Sequence, residues 1–165
     1  FNYRMTDLQG ALGTVQIDKA ETIIRGRQEA AARYDCLLQD IPEIRKPYTS
    51  EGHTHSYQSY VCLYKANSAE LRGENSIDWD QVEEWNRERN RLMAALESSG
   101  ISVRQGTHAV HTLGYYKRKY ELNDRDYPMS YIADRLSITL PLYFGITEQD
   151  QTRVVKTLQT CIRQL

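Results

Sequence analysis

Two side chains at the start of the chain could bind an anion. Asn2 offers a neutral amide donor, and Arg4 offers a guanidinium that binds phosphate or carboxylate through two parallel hydrogen bonds. Thr6 and Gln9 then form the pattern of a capping box, which predicts a helix beginning directly after Thr6. Because a helix start favours negative charge, this stretch could form an anion site. From the residues alone, however, an ordinary frayed chain terminus is the favoured interpretation.

The four histidines fall into two pairs that could bind a metal or contact a substrate. His53 and His55 alternate in a polar stretch, whereas His108 and His111 stand three residues apart in a turn-rich segment. A metal would need further ligands, and no cysteine or acidic residue stands at ligand spacing beside either pair. The pattern favours polar loop histidines. The segment of His108 and His111 nevertheless follows a predicted strand, and functional loops of α/β proteins often leave strand ends.

Composition and missing motifs exclude several function classes. The 165 residues include 21 Lys and Arg against 22 Asp and Glu, so no excess of charge predicts a general affinity for nucleic acid or an anionic membrane. No apolar run approaches the roughly 20 residues of a membrane-spanning helix. Neither a Gly-x-Ser-x-Gly motif nor a glycine-rich phosphate loop is present. The pattern of Cys36, Cys62 and Cys161 fits neither a disulfide framework nor a zinc site, which predicts a reducing compartment.

The elements that must position these residues alternate between helices and short strands. Apolar spacing from Thr6 to about residue 38 predicts one long helix, or two helices joined near residues 16–19. Strands are predicted at 56–65, 101–104 and 137–143, a loop at 66–76, and further helices at 78–98, 115–120, 128–136 and from Thr147 onward. This order predicts an α/β or α+β domain with a small sheet flanked by helices.

The predicted helix at 78–98 is rich in charged side chains. We expect these side chains to form a solvated face with ion pairs along the helix. They are Glu83, Glu84, Arg87, Glu88, Arg89 and Arg91.

Five segments carry a resemblance to a known family. They are NYRMTDLQGALGTVQIDK at 2–19, RGRQEAAARYDCLL at 25–38, HSYQSYVCLY at 55–64, LMAALESSGISVRQGTHAVHTLGYY at 92–116 and ADRLSITLPLYFGITEQDQTRVVKTL at 133–158. In this order they resemble the pyridoxal-phosphate-dependent sugar aminotransferases of the DegT/DnrJ/EryC1/StrS group. The resemblance spans nearly the whole chain.

The resemblance implies a place in a larger enzyme. The chain resembles the C-terminal portion of a fold type I enzyme, with 1–40 as entry helices joining a large domain and 41–165 as the small C-terminal domain. The lysine that forms the Schiff base would lie upstream, so no catalytic residue is expected in this portion. The implied reaction, in a cytoplasmic homodimer, transfers an amino group from an amino acid, with glutamate as the expected donor, to a keto-sugar nucleotide.

The resemblance also implies roles for individual residues. Asn2 matches a residue that contacts the cofactor phosphate of the other subunit, and Arg4 lies in the same neighbourhood. His111, together with His108, matches the loop that approaches the substrate. Gly10 departs from the family, which usually has alanine at this position, and the departure weakens helix propensity slightly.

Two other functions remain open at this point. Some relatives replace the Schiff-base lysine with histidine and catalyse pyridoxal-phosphate-dependent dehydration or deoxygenation of sugars. The second alternative is a non-catalytic interaction domain. Against it, the side chains of Leu8, Leu12 and Val15 are expected to form an apolar face that needs a partner.

Overall fold

A computed structural model describes residues 3–66 and 77–165 of the chain. Asn2, and all but the first residue of the loop predicted at 66–76, lie outside the described residues. Helices and strands follow each other in the predicted order. They are α1 (Asp7–Asp18), α2 (Ala20–Leu37), β1 (Ile44–Arg45), β2 (Tyr60–Tyr64), α3 (Trp79–Ser98), α4 (Gly114–Tyr120), α5 (Pro128–Leu136), β3 (Ser137–Leu140) and α6 (Glu148–Arg163), with a 3₁₀ turn at Val110–Thr112 before α4.

The first predicted helix is two helices that meet at Lys19. The capping box is confirmed, because the Gln9 N–H donates to Thr6 Oγ1 at 3.3 Å and the Thr6 N–H donates to Gln9 Oε1 at 2.9 Å. Helix α1 buries none of its side chains, and Leu8 and Leu12 are exposed as expected. Helix α2 buries side chains only in its second half, so the core begins there.

The described strands form one antiparallel sheet in the order β1–β2–β3. Strand β2 is shorter than predicted because Tyr57 has a positive φ of 47°, which breaks the extended run. The strand predicted at 101–104 is reduced to one bridge between Arg104 and Thr139, and the two-residue strand β1 was not predicted. The α/β class with a small sheet flanked by helices is confirmed.

The core lies where helices α2, α3 and α6 pack on the sheet. Tyr34, Tyr60 and Tyr64 are fully buried there, and each hydroxyl has a partner. Tyr34 donates to the carbonyl of Pro141 at 2.9 Å, and Tyr60 donates to Asp35 at 2.5 Å. Burial raises the pKa of each of these three phenols. Three of the 12 tyrosines in the sequence therefore belong to the core.

Arg89 corrects the expectation that the charged side chains of α3 form a solvated face. Its side chain is only 2% exposed, and its guanidinium donates to the carbonyls of Ser137 at 3.1 Å and Asp134 at 3.4 Å. The buried surroundings lower the pKa of Arg89 because they disfavour its charge. The expectation was wrong because the two acceptors lie more than 40 residues away in sequence, at the junction of α5 and β3.

None of the helices in residues 3–66 and 77–165 combines the length and the apolar character that a membrane crossing requires.

Candidate functional site

The segment that carries His108 and His111 is fixed to the junction of α5 and β3. Asp134 Oδ1 accepts hydrogen bonds from the Gln105 side chain at 2.9 Å and from the Ala109 N–H at 3.0 Å. Ser137 Oγ accepts from the N–H groups of Gly106 and Thr107 at 3.0 and 3.3 Å. Residues 105–109 have no regular secondary structure of their own, and four hydrogen bonds that they donate to Asp134 and Ser137 hold them in place.

His111 lies in the 3₁₀ turn and is only 6% exposed. Its Nε2 is 2.9 Å from the carbonyl oxygen of Asp124, and its ring centroid is 5.1 Å from that of Tyr127. Since a carbonyl can only accept, Nε2 carries the proton, and Nδ1 of the neutral ring remains as an acceptor. The geometry thus fixes the tautomer of His111.

Asp124 is held in turn by α4. Lys117 Nζ lies 2.7 Å from Asp124 Oδ1, and this hydrogen bond holds the pKa of the Asp124 carboxyl below its ordinary value. The side chain of Asp124 thus contacts α4 while its backbone carbonyl contacts His111.

His108 differs from His111 in its surroundings. Its side chain is 73% exposed, and its Nδ1 lies 3.8 Å from Asp134 Oδ1 and 3.3 Å from the Gln105 amide nitrogen. The same carboxylate that anchors Ala109 therefore faces His108. This ring is available to a ligand from solvent, whereas His111 is reached only from within the cleft described next.

Both histidines line one open cleft of about 330 Å³. Sequence reasoning predicted the two histidines but missed the rest of the lining, since α4, the loop after it and α5 come together only in the folded chain. The one available signal was the presence of 12 tyrosines against two phenylalanines, because hydroxylated aromatic rings suit half-exposed clefts. The other lining residues are Val110, Tyr116, Leu122, Tyr127 and Ser130. A larger open depression of about 600 Å³ runs along the exposed face of α6 and contains no histidine.

Arg4 lies apart from this cleft, just before α1. Its side chain is exposed, and the first turn of α1 follows it, capped by Thr6. A guanidinium beside a helix start suits an anion such as a phosphate, although Asp7 in the first turn partly offsets the positive end of the helix. The structure therefore does not bring Arg4 and the two histidines together within this chain.

His53 and His55 make local contacts. His55 Nδ1 accepts the Tyr57 N–H at 2.8 Å, and His53 Nδ1 is 3.1 Å from the carbonyl of Glu51. No group of three or more potential ligands that could hold a metal ion occurs among residues 3–66 and 77–165. The interpretation of this pair as polar loop histidines agrees with these contacts.

Known proteins match the chain in sequence. The sequence pattern of the DegT/DnrJ/EryC1/StrS aminotransferase family matches residues 1–159. Among curated relatives, the GDP-perosamine synthase of Vibrio cholerae is 30% identical over 164 residues, and the spore coat polysaccharide biosynthesis protein SpsC of Bacillus subtilis is 22% identical over 165. Each match covers 99% of this chain but only 38% of the relative, so the chain spans less than two fifths of the length of these proteins.

Solved structures match the fold. PseC of Helicobacter pylori, an aminotransferase involved in the biosynthesis of pseudoaminic acid, superposes with a TM-score of 0.81 at 16% identity and covers 100% of this chain and 39% of its own. The apo form of Spr1654 from Streptococcus pneumoniae superposes with a TM-score of 0.79 at 22% identity and covers 98% of this chain and 36% of its own. At such identities the likeness shows the fold, and the family follows from the sequence match over residues 1–159. The chain belongs to the DegT/DnrJ/EryC1/StrS aminotransferase family.

Proposed function

We propose that this chain is the C-terminal portion of a pyridoxal-phosphate-dependent aminotransferase. The complete enzyme moves an amino group from an amino acid, with glutamate as the expected donor, to a keto-sugar nucleotide. The observation that carries the proposal is the family match over residues 1–159. The relative that makes GDP-perosamine, an amino sugar linked to a nucleotide, supports this class of substrate.

The proposal divides the chain into entry helices at 1–40 and a small C-terminal domain at 41–165. Support comes from α1, which buries no side chain within this chain. Helix α2 continues into the small domain, because its second half packs in the same core as the sheet and α6. The exposed side of α1 is then a contact with the large domain or with the second subunit of a homodimer.

Arg4 and Asn2 are the residues of this chain proposed to contact the cofactor. Pyridoxal phosphate, when bound, supplies an electron sink for the amino-group transfer. The exposed guanidinium of Arg4 fits its phosphate, because a planar fork of N–H donors matches two phosphate oxygens. The lysine that binds the cofactor covalently belongs to the part of the enzyme outside this chain.

His108 and His111 are proposed to contact the sugar nucleotide. His111 presents Nδ1 as an acceptor, because its Nε2–H is held by the Asp124 carbonyl. His108 stands at the open rim, where a ring N–H can donate to a hydroxyl or a diphosphate oxygen. Both roles are binding roles and require no proton transfer by these rings.

The test uses the full-length enzyme. Glutamate alone is expected to convert bound pyridoxal phosphate to pyridoxamine phosphate, followed by absorbance, and a keto-sugar nucleotide is expected to reverse this. Arg4→Gln is expected to weaken cofactor retention in equilibrium dialysis by about tenfold, as for loss of a charge-assisted bond, whereas Arg163→Gln in α6 leaves it unchanged.

Three results would contradict parts of this proposal. Absence of cofactor binding by the full-length protein would favour a non-catalytic domain. Sugar dehydration or deoxygenation without amino transfer would favour the dehydratase or deoxygenase alternative. Equal cofactor retention by the Arg4 and Arg163 variants would remove Arg4 from the phosphate site.

A further inference from the structure

The cleft of the two histidines has walls made mainly of rings and apolar side chains. Tyr116 is 39% exposed and Tyr127 is 53% exposed, and both line the cleft together with Val110 and Leu122. Large aromatic side chains left this exposed have not been used by the core. Tyr116 already lies nearly parallel to Tyr120, with the ring centroids 6.4 Å apart, and Tyr127 lies against His111. Each ring therefore has a neighbour on one side and can offer its other face to a ligand.

The cleft contains few polar groups that could bind a ligand. His111 is held at Nε2 by the Asp124 carbonyl, so Nδ1 is the nitrogen that remains for a ligand. The hydroxyl of Ser130 makes no hydrogen bond to another residue of the described chain. The remaining polar groups are the two tyrosine hydroxyls and the more exposed ring of His108.

This lining suits the nucleobase of a sugar nucleotide better than it suits the sugar. A hexose carries a hydroxyl on most of its carbons, and each hydroxyl placed against Val110 or Leu122 would lose its hydrogen bonds to water without replacement. A nucleobase has two apolar faces that stack on tyrosine, and its polar atoms lie at the ring edge. A few edge partners, such as His111 Nδ1 and the Ser130 hydroxyl, suffice for it.

The geometry points to a nucleobase site in this cleft, in which the base of the sugar nucleotide stacks on Tyr116 and Tyr127 with its edge toward His111. The inference rests on the proposed function, since it assigns one part of that substrate to one part of this chain. His108, at the rim, then lies where the ribose or diphosphate leaves the cleft. Specificity for the nucleotide would thus reside in this chain.

The experiment titrates UDP, GDP and dTDP, each without a sugar, into the full-length enzyme in its pyridoxamine form by calorimetry. At least one of them is expected to bind. Tyr116→Ala is expected to weaken that binding about tenfold or more, as for loss of one stacked base, whereas Tyr116→Phe retains it. Tyr48→Ala is the matched control, because Tyr48 is 79% exposed in a loop and does not line the cleft.

A second pair of variants, Tyr127→Ala and Tyr127→Phe, keeps the test valid if the first alanine variant fails to fold, as judged by thermal melting. Three results would overturn the inference. The first is that none of the nucleotides binds, and the second is that the alanine and phenylalanine variants bind them equally. The third is that the alanine variants weaken the binding of a hexose 1-phosphate but not that of a nucleotide. Conversion of the wild-type cofactor by glutamate needs no nucleotide. The proposed function therefore stands or fails separately.

Discussion

The carboxylate of Asp134 lies 3.0 Å from the backbone nitrogen of Ala109, and this contact joins α5 to the segment that carries both histidines. The same oxygen accepts from Gln105 at 2.9 Å. Asp134 and Ala109 are both buried, so the Ala109 N–H would lack a partner if the carboxylate were removed, whereas the Gln105 amide also donates to the carbonyl of Thr107. The position of His108 and His111 therefore depends on a residue that sequence spacing does not connect with them.

Replacing Asp134 with alanine is expected to lower the free energy of unfolding by about 1–3 kcal/mol, because two donors lose a nearly buried acceptor. Asp134→Asn keeps an oxygen at the same place and is expected to retain most of that free energy. Urea unfolding of both variants measures the difference. Equal losses for the two variants would show that the carboxylate charge, rather than the acceptor, stabilises this segment.

Arg89→Met is expected to destabilise the fold by about 1–3 kcal/mol, because the carbonyls of Ser137 and Asp134 lose a buried donor. Arg87→Met is the control on the same helix. Arg87 is 63% exposed and pairs with Glu84 at the surface, where water and salt screen the pair, so its loss is expected to change stability much less than the loss of Arg89. Chemical denaturation compares the two, and similar losses would argue against a structural role for the buried guanidinium.

Gly106→Ala is expected to destabilise the histidine segment, because a Cβ at this position would lie 2.3 Å from Val61 Cγ1 and 3.1 Å from Ser137 Cβ. Relieving such an overlap costs about 1–3 kcal/mol. Gly10→Ala in α1 meets nothing within 4 Å and is expected to stabilise the helix by about 0.5–1 kcal/mol. Thermal melting of the two variants should therefore shift in opposite directions.

The pair of Lys117 and Asp124 predicts a pH dependence in acid. The folded-state pKa of Asp124 is lowered, so the pair stabilises the fold above the ordinary carboxyl pKa, and that stability is lost as the pH falls through the folded-state value. Both side chains are more than 40% exposed, so the contribution is at most about 0.5 kcal/mol and falls with added salt.

Carboxyl titration by NMR tests this pair. Lys117→Gln is expected to raise the pKa of Asp124 toward its ordinary value, whereas Lys156→Gln in α6 leaves it where it is. An unchanged pKa in the Lys117 variant would mean that the two groups do not pair in solution.

Local signals in the sequence predicted most of the helices. The helix starts predicted at Thr6, at residue 78 and at Thr147 are confirmed, because each residue caps its helix through a hydrogen bond to a residue three positions away. Strand ends and the burial of Arg89 were predicted poorly. These features depend on partners distant in sequence, such as Thr139 for Arg104, and no local pattern encodes such partners.

The candidate site, too, could be predicted only in part. The turn-rich context of His108 and His111 was visible in the sequence, and the structure places both rings on one cleft. Tyr116 and Tyr127 were not singled out, because tyrosines also fill the core and spacing alone cannot separate the two uses. Only the packing of α4 near His111 and the loop before α5 distinguishes them.

Helix α1 predicts self-association of the 165-residue chain when it is produced alone. Leu8, Leu12 and Val15 recur on one side of α1 and are 82%, 63% and 48% exposed. An apolar face of this kind favours association with a second surface. Sedimentation of the chain is expected to show concentration-dependent oligomers, and Leu8→Lys with Leu12→Lys is expected to shift it toward the monomer. Gln16→Lys, on the same helix, adds charge without removing apolar surface, so an equal shift in that control would assign the effect to net charge. A sharp monomer that melts in one cooperative step would show that α1 needs no partner, which would favour a domain that functions without the rest of an aminotransferase.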